Sequence, residues 1–146
     1  MPFQPVPGAI CWKMHFVSPR EEVFAALTTD SGRARFWAEA AKELNGVVTF
    51  HILNYEPYSG RVLEQIEPSR FSLEYFGTVA EFSLEADKGG GTELTLLATQ
   101  VDESFRMEMA AGWVSVLMAM KAAVDHGVDL RNHDASRSWR DGYADN

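Results

Sequence analysis

The chain has 146 residues, of which 46% are hydrophobic and 23% charged, a composition typical of a single soluble globular domain. Its 13 Lys and Arg against 21 Asp and Glu give a net charge of −8, which would repel a polyphosphate backbone and argues against nucleic acid as a partner. The one cysteine, Cys11, excludes an internal disulfide and a cysteine-rich zinc site, and it favours a reducing compartment.

The first 17 residues predict a short arm followed by a strand. Residues 1–8 form a proline-punctuated N-terminal arm without a basic start. No apolar run approaches the roughly 20 residues that cross a bilayer, so we expect a soluble, cytoplasmic protein with no membrane partner. From residue 9 to 17, Trp12 and Met14 alternate with Lys13 and His15, which predicts a strand with its even-numbered face inward.

Two short helices are predicted next. In Ser18-Pro19-Arg20-Glu21, a serine can cap free N–H groups, proline suits the first helical position, and the carboxylate can reach back. The stretch 28–32 then ends this helix. A second short helical stretch carries Phe36 and Trp37.

Turn residues divide the region from 43 to 101 into about five antiparallel strands. The turn signals are Asn45-Gly46, Glu56-Pro57, Ser59-Gly60, Glu67-Pro68, Gly77 and the triple glycine 89–91. The strands between them alternate apolar with mostly polar residues, which predicts a sheet with one solvated face.

Residues 103–126 return to helical periodicity, and Gly127 is suited to end the helix. The apolar residues form one broad stripe, which invites packing against the apolar face of the sheet. The stripe comprises Phe105, Met109, Gly112, Trp113, Val116, Leu117, Met120 and Val124. We therefore expect one domain over residues 9–128, followed by a polar tail at 129–146.

The order of these elements resembles the α+β helix-grip fold of the START-like, or Bet v 1-like, superfamily. Residues 16–28 are similar to the opening segment of the branch named for the activator of Hsp90 ATPase, as are Phe36-Trp37, Gly60 to Glu64 and Gly112-Trp113. The resemblance implies a curved antiparallel sheet of about six strands packed on the long C-terminal helix. It also implies a cavity between them, which different members use for lipids, sterols, polyketides or hormones, and some for cyclisation or hydrolysis.

The resemblance leaves three functions open. The first is binding of a small hydrophobic or amphipathic molecule in the cavity, and the second is a cyclase- or hydrolase-type enzyme that uses the same cavity. The third is a chaperone-associated interaction module with a solid core. The eukaryotic Hsp90 activator carries a large N-terminal domain, whereas about eight residues precede the first strand here, so we do not expect Hsp90 activation.

Flat rings and pliable thioethers among the expected inward residues suit a pocket for an apolar or aromatic molecule, although the same residues would also fill a plain core. The candidate ligand-binding residues are Trp12, Met14, Trp37, Phe50, His51, Tyr75, Phe82, Trp113, Leu117 and Met120. We predict no cofactor.

Acid–base and metal chemistry find less support in the sequence. His51 lies in a segment in which both the even-numbered and the odd-numbered residues are apolar, so either face of the strand could be buried. Glu64 lies between apolar neighbours. Either side chain could therefore face the cavity and act in acid–base catalysis. The competing interpretation is a surface His51 and a solvated Glu64. The four histidines show no ligand spacing, and no nucleophile motif occurs, so we assign neither a metal site nor a catalytic residue.

Val114 and Met118 lie on the side of the long helix away from its main stripe. Their position predicts a small exposed apolar patch. We expect either Trp139 and Tyr143 of the tail, or a second copy of the chain, to cover it.

Overall fold

Seven antiparallel strands form one curved sheet in the computed structural model, which describes Gln4 and residues 6–146. The strand order across the sheet is β1-β7-β6-β5-β4-β3-β2. The strands are β1 (Ala9–Phe16), β2 (Ala40–Leu44), β3 (Val47–His51), β4 (Tyr58–Ile66), β5 (Arg70–Tyr75), β6 (Thr78–Ala86) and β7 (Thr92–Thr99). Four residues of the predicted arm, Met1, Pro2, Phe3 and Pro5, lie outside the described residues.

The sheet has one strand more than the sequence predicts, because residues 40–44 pair as an edge strand. Only Ala41 of β2 is buried, so this segment lacks the alternation that marks a half-buried strand. Its register comes from the turn at Asn45 and Gly46, both at positive φ, which pairs Leu44 with Val47.

Three α-helices accompany the sheet: α1 (Arg20–Thr28), α2 (Asp30–Ala34) and α3 (Arg106–His126). Short 3₁₀ helices occupy Glu103–Phe105, before α3, and Trp139–Asp141, in the tail. Gly127 ends α3 in the left-handed conformation, as predicted. The predicted Ser18 cap is wrong: Pro19 is the N-cap residue of α1, and the Ser18 hydroxyl donates to Asp125 at the far end of α3.

The long helix α3 packs across the apolar face of the sheet and buries Trp113, Leu117 and Met120. Against these lie buried sheet residues such as Phe82 and Leu96, so one core joins both layers. This confirms the helix-grip architecture.

The segment Glu103–His126 is long and apolar enough to cross a membrane by length and composition, contrary to the sequence-based expectation that no such run exists. Its inner face packs against the sheet through Trp113, Leu117 and Met120, whereas only 28% of the apolar window as a whole is buried. Phe105, assigned to the inner stripe from the sequence, instead belongs to the 3₁₀ turn and is exposed.

Candidate ligand-binding cleft

A cleft of about 650 Å³ opens at one end of the domain, between the sheet and the first half of α3. Its walls come from the β5–β6 turn, the segment that follows β7, the loop after β3, α3 and the C-terminal tail. The lining residues are Trp37, Ile52, Tyr55, Tyr75, Phe76, Gly77, Thr78, Gln100, Asp102, Phe105, Glu108, Met109, Gly112, Trp113, Ser115, Val116, Trp139, Ala144 and Asn146.

Three aromatic side chains form the floor of the cleft. The ring centroids of Tyr75 and Trp113 are 5.1 Å apart, those of Trp37 and Tyr75 are 5.6 Å apart, and those of Trp37 and Trp113 are 6.2 Å apart. These tilted contacts are the arrangement that aromatic quadrupoles favour. Phe50 and Phe82 also pack against Trp37, with centroid distances of 5.0 and 5.7 Å, so the floor is continuous with the aromatic core.

The Tyr75 hydroxyl is the polar group of this floor. It accepts a hydrogen bond from Trp37 Nε1 at 3.2 Å. Burial raises the pKa of Tyr75 to about 12, although the bond from Trp37 opposes the rise, so the phenol is neutral and keeps its proton. No described residue accepts that proton, which leaves it available to an acceptor on a bound molecule.

The β5–β6 turn places a further aromatic ring at the mouth of the cleft. Phe76 and Gly77 have φ of 47° and 77°, and the flanking Tyr75 and Thr78 pair directly, so the two residues form the tight turn of a hairpin. Positive φ is strained for a bulky residue, and such positions favour Asn, Asp or Gly. A strained aromatic residue that lines a cleft is a feature associated with functional sites.

Two carboxylates and an indole N–H stand at the rim. Asp102 Oδ1 accepts from the backbone N–H and the hydroxyl of Ser104, at 2.9 and 2.7 Å, and these bonds hold the pKa of Asp102 below its usual value. On α3, Glu108 Oε1 accepts from Trp139 Nε1 at 3.2 Å. This bond ties the tail to α3 at the cleft.

The ten candidate residues separate into four groups. Trp37, Tyr75 and Trp113 line the cleft. Phe50, Phe82, Leu117 and Met120 are buried in the core beneath it, and Trp12 and Met14 are partly buried between β1 and α3, where Trp12 Nε1 donates to the Ala110 carbonyl. His51 is exposed at the end of β3, outside the lining.

Glu64 also lies away from the cleft. Its Oε1 accepts from Arg70 Nε at 2.7 Å, and Arg70 also pairs with Glu81 on the neighbouring strand. Glu64 therefore belongs to an ion-pair cluster that is partly exposed to solvent.

Five lining residues of functional interest were not among the candidate ligand-binding residues predicted from the sequence: Tyr55, Phe76, Asp102, Glu108 and Trp139. Phe76 had a usable signal, because an aromatic residue directly before Gly77 in a two-residue turn is unusual. The other four lie in loops, on a helix flank or in the tail, where periodicity carries no information about what they face.

The tail runs beside the predicted apolar patch instead of over it. Ser115 donates to the Ala144 carbonyl at 2.8 Å, and the Trp139 ring lies next to Gly112. Val114 and Met118 remain 40% and 49% exposed, and Tyr143 is itself exposed. The patch was predicted correctly, whereas its cover by Trp139 and Tyr143 was not.

A group with metal-ligand geometry lies at the opposite end of the sheet. His15, Asp87 and Glu93 each offer one ligand atom within 4.8 Å of the others, and His15 Nε2 is 2.6 Å from Asp87 Oδ2. His15 and Glu93 are cross-strand partners of β1 and β7. Residues 78 positions apart thus meet by strand pairing, so a search for ligand spacing along the sequence could not find this group.

The family model of the activator of Hsp90 ATPase homolog 1-like proteins matches residues 18–125. No curated protein matches the chain. Among solved structures, protein SSP2350 from Staphylococcus saprophyticus is similar with a TM-score of 0.73 and 22% identity, over 84% of this chain and 96% of that one.

Two further structures share the architecture. The Aha1 dimer from Colwellia psychrerythraea has a TM-score of 0.73 and 20% identity, over 82% of this chain and 97% of that one. CalU16 from Micromonospora echinospora has a TM-score of 0.64 and 24% identity, over 80% of this chain and 76% of that one. At these identities the likeness establishes a shared fold.

Proposed function

The chain belongs to the activator of Hsp90 ATPase homolog 1-like family, and on that premise we propose that it binds a small hydrophobic or amphipathic molecule between its sheet and its long helix. The observation that carries the proposal is the aromatic floor of the cleft, Trp37, Tyr75 and Trp113, with one free phenolic donor. Apolar walls with few convergent polar groups are the usual make-up of a small-molecule site.

The lining favours binding over the two alternatives. The enzyme hypothesis relied on His51 or Glu64 in the cavity, and neither lines the cleft. The interaction-module hypothesis relied on a solid core, whereas a cleft of about 650 Å³ has room for a ligand of ordinary drug size.

A thermal-shift screen of fatty acids, sterols, flavonoids, polyketide-like aromatics and bile acids tests the proposal. A ligand at 100 times its dissociation constant stabilises the folded state by about 2.7 kcal/mol, which corresponds to a shift of a few degrees or more. We expect a saturable shift for one chemical class. Flat melting curves across the panel would contradict the proposal.

A variant that fills the cleft links such a shift to this site. Gly112 lies on α3 facing the cleft, and a Cβ there would meet only the Trp139 ring, at 4.0 Å, outside the helix itself. Gly112→Leu should therefore keep the fold, gain helix propensity and abolish the ligand shift. Ala25→Leu is the control, because Ala25 is an exposed residue of α1 that belongs neither to the cleft lining nor to α3, and it should leave the shift intact.

We also propose that two copies of the chain associate through the outer face of α3. Met107, Ala111, Val114 and Met118 are exposed and follow the spacing of one helical stripe. The Aha1 protein from Colwellia psychrerythraea is described as a dimer, which supports self-association as the use of this stripe.

Sedimentation equilibrium tests the association. We expect a monomer–dimer equilibrium that Met118→Glu shifts to monomer, because a carboxylate in an apolar contact must be desolvated. Leu44→Glu, the same kind of change at the exposed end of β2, should have no effect. A monomer at all concentrations in the wild type would contradict this proposal and leave the cleft proposal standing.

We propose a cytoplasmic location, because Cys11 is the one cysteine of the chain and is a free thiol, as is usual in proteins of a reducing compartment. Retention of the tagged protein in the cytoplasmic fraction after cell fractionation is the expected result, and recovery from a membrane or exported fraction would contradict it.

A further inference from the structure

The lining of the cleft carries two carboxylates, Asp102 and Glu108, and no Lys, Arg or His among the described residues that form it. We propose that the molecule selected by the cleft is an amphipathic cation, with an apolar body and an amine or other ammonium group. The inference rests on the proposed function, since it names the class of ligand for that same cleft.

Asp102 has one oxygen to offer a ligand. Its Oδ1 is used by the backbone and hydroxyl of Ser104, which orients the carboxylate, whereas no hydrogen bond from a described residue reaches Oδ2. Because these bonds lower the pKa of Asp102, the group is an anion throughout the neutral range. It therefore supplies a fixed negative charge at the β7 side of the rim.

Glu108 is placed in a similar way on the α3 side. Its Oε1 accepts from the indole N–H of Trp139, and none of the described residues donates to Oε2. The indole N–H lies in the ring plane, so this bond holds the carboxylate at the edge of the Trp139 ring and leaves Oε2 open to an ammonium group. A carboxylate is a strong acceptor for an ammonium donor, so Glu108 supplies a second anionic contact at the rim.

The aromatic lining favours the same sign of charge. The faces of aromatic rings carry negative potential and attract cations, and tryptophan forms the strongest cation–π interactions. Three tryptophans, Trp37, Trp113 and Trp139, belong to the lining. An anion would instead meet two carboxylates and several ring faces.

The chain's own Arg140 illustrates this preference. Its guanidinium lies over the ring of Tyr55, 4.5 Å from the centroid, at the edge of the cleft. Tyr55 lines the cleft but Arg140 itself does not, and no ion pair among the described residues joins Arg140 to Asp102 or Glu108. Both rim carboxylates remain available to a ligand.

Three fluorescent probes that differ only in their terminal group test the inference. Dansylcadaverine carries an ammonium group, N-pentyl dansylamide ends in a methyl group, and N-dansyl-6-aminohexanoate carries a carboxylate. Titration of each into the full-length protein, with excitation of the tryptophans and dansyl emission as readout, gives three dissociation constants. At low ionic strength we expect the cation to bind about tenfold more tightly than the anion, with the neutral probe between them.

The double variant Asp102→Asn/Glu108→Gln should remove this preference. Asn keeps the turn-capping oxygen, and Gln keeps the acceptor for Trp139, so only the charges are lost. We expect the cation and anion constants to come within about twofold of each other, with the neutral probe unchanged.

Glu85→Gln/Glu93→Gln is the matched control. These exposed glutamates are direct cross-strand partners at the far ends of β6 and β7, and the pair changes the net charge by the same amount. The control should still bind the cationic probe more tightly than the anionic one, because this preference depends on the carboxylates at the cleft and not on the overall charge of −8.

The outcomes separate the inference from the proposed function. If the three probes bind equally and Gly112→Leu weakens all of them, the cleft binds ligands and the cationic preference is refuted. A preference that survives Asp102→Asn/Glu108→Gln would also refute it. If no probe binds, the binding function fails and the preference falls with it.

Discussion

Asp125 joins the start of the fold to the end of its last helix. Its carboxylate, with only 1% of the side chain exposed, accepts from the backbone N–H groups of Val17 and Ser18 at 3.0 and 3.1 Å and from the Ser18 hydroxyl at 2.8 Å. Burial alone would raise the pKa of Asp125, but these bonds and Lys121 outweigh it, so the pKa lies below the usual range. A single side chain thus holds the strand-to-helix connection against α3.

We expect Asp125→Ala to lower the free energy of unfolding by about 1–3 kcal/mol, because it removes the charged acceptor of two backbone N–H groups and of the Ser18 hydroxyl. Denaturant unfolding measures the change, with Glu85→Ala as an exposed control. The lowered pKa means that the contribution is complete above the ordinary carboxyl pKa and is lost as the pH falls through the lowered one. The two proteins should therefore converge in stability in acid; a gap that persists there would contradict the assignment.

His133 of the tail bridges two carboxylates. Its Nε2 is 2.7 Å from Asp129 Oδ2, and its Nδ1 is 2.7 Å from Glu39 Oε1. These bonds to Asp129 and Glu39 raise the pKa of His133 above its ordinary 6.5. The protonated ring therefore links the tail to the segment before β2.

A histidine whose pKa is raised in the folded state stabilises that state. The full stabilisation is present at pH values below the pKa of the unfolded chain, and it is lost as the pH rises through the pKa of the folded protein. We expect His133→Gln to cost up to about 1 kcal/mol at pH 5.5 and less at pH 8.5, since the cluster is partly exposed. Urea unfolding at the two pH values measures this. An equal loss at both would show that the charge on the ring contributes nothing.

At the scale of elements, the tail and the β5–β6 turn shape the cleft more than the long elements do. Arg131, with 6% of its side chain exposed, donates to the carbonyls of Ala38 and Ala34 at 2.7 Å each and anchors the tail beside Trp37. From this anchor the chain continues to Trp139, Ala144 and Asn146, which form one wall of the cleft. The tail is therefore part of the candidate site.

Deletion of residues 129–146 should lower the melting temperature by several degrees and expose Trp113 to solvent, because the wall and the Arg131 anchor are lost. Calorimetry and iodide quenching of tryptophan fluorescence measure the two effects. Arg131→Ala should reproduce much of the destabilisation, whereas Arg137→Ala, which removes an exposed ion pair, should not. Unchanged melting and quenching in the deletion variant would contradict this role for the tail.

At the scale of the whole molecule, the same apolar helix that could span a bilayer by composition serves as the core helix of the domain. Trp113, Leu117 and Met120 lie against the sheet, and Asp125 and Lys121 tie the end of α3 to β1 and the residues that follow it. Release of α3 into a membrane would expose the apolar face of the sheet to water. This exposure of apolar surface to water would oppose release of α3 from the sheet.

Flotation with vesicles tests this conclusion. We expect the protein to remain in the dense fraction with phosphatidylcholine vesicles and with anionic vesicles, because the inner face of α3 packs against the sheet and the net charge of −8 repels anionic lipid. Flotation with either lipid would show that α3 or its exposed stripe engages the bilayer.

Much of the fold could be predicted from the sequence because the signals are local. The alternation in β1, the Asn45-Gly46 turn and the Gly127 stop each depend on a few neighbouring residues, and the structure contains all three. The β2 strand escaped prediction since an edge strand with one buried residue leaves no periodic pattern. Ser18 was assigned to the helix cap because serine before proline is a common start of a helix. Its actual partner, Asp125, is 107 residues away, so no local pattern indicates this contact.

The sequence by itself determined the helix-grip fold and a set of inward aromatic residues; only the tertiary structure decided which of them face a cleft. Periodicity indicates that a side chain is buried, but it does not distinguish Phe82, which lies in the core, from Trp113, which lies on the cleft floor. Asp102, Glu108 and Trp139 meet at one rim because strand pairing, helix packing and the returning tail bring distant segments together. The charge that faces a ligand is therefore a property of the folded arrangement, since it depends on distances through space that no spacing along the chain encodes.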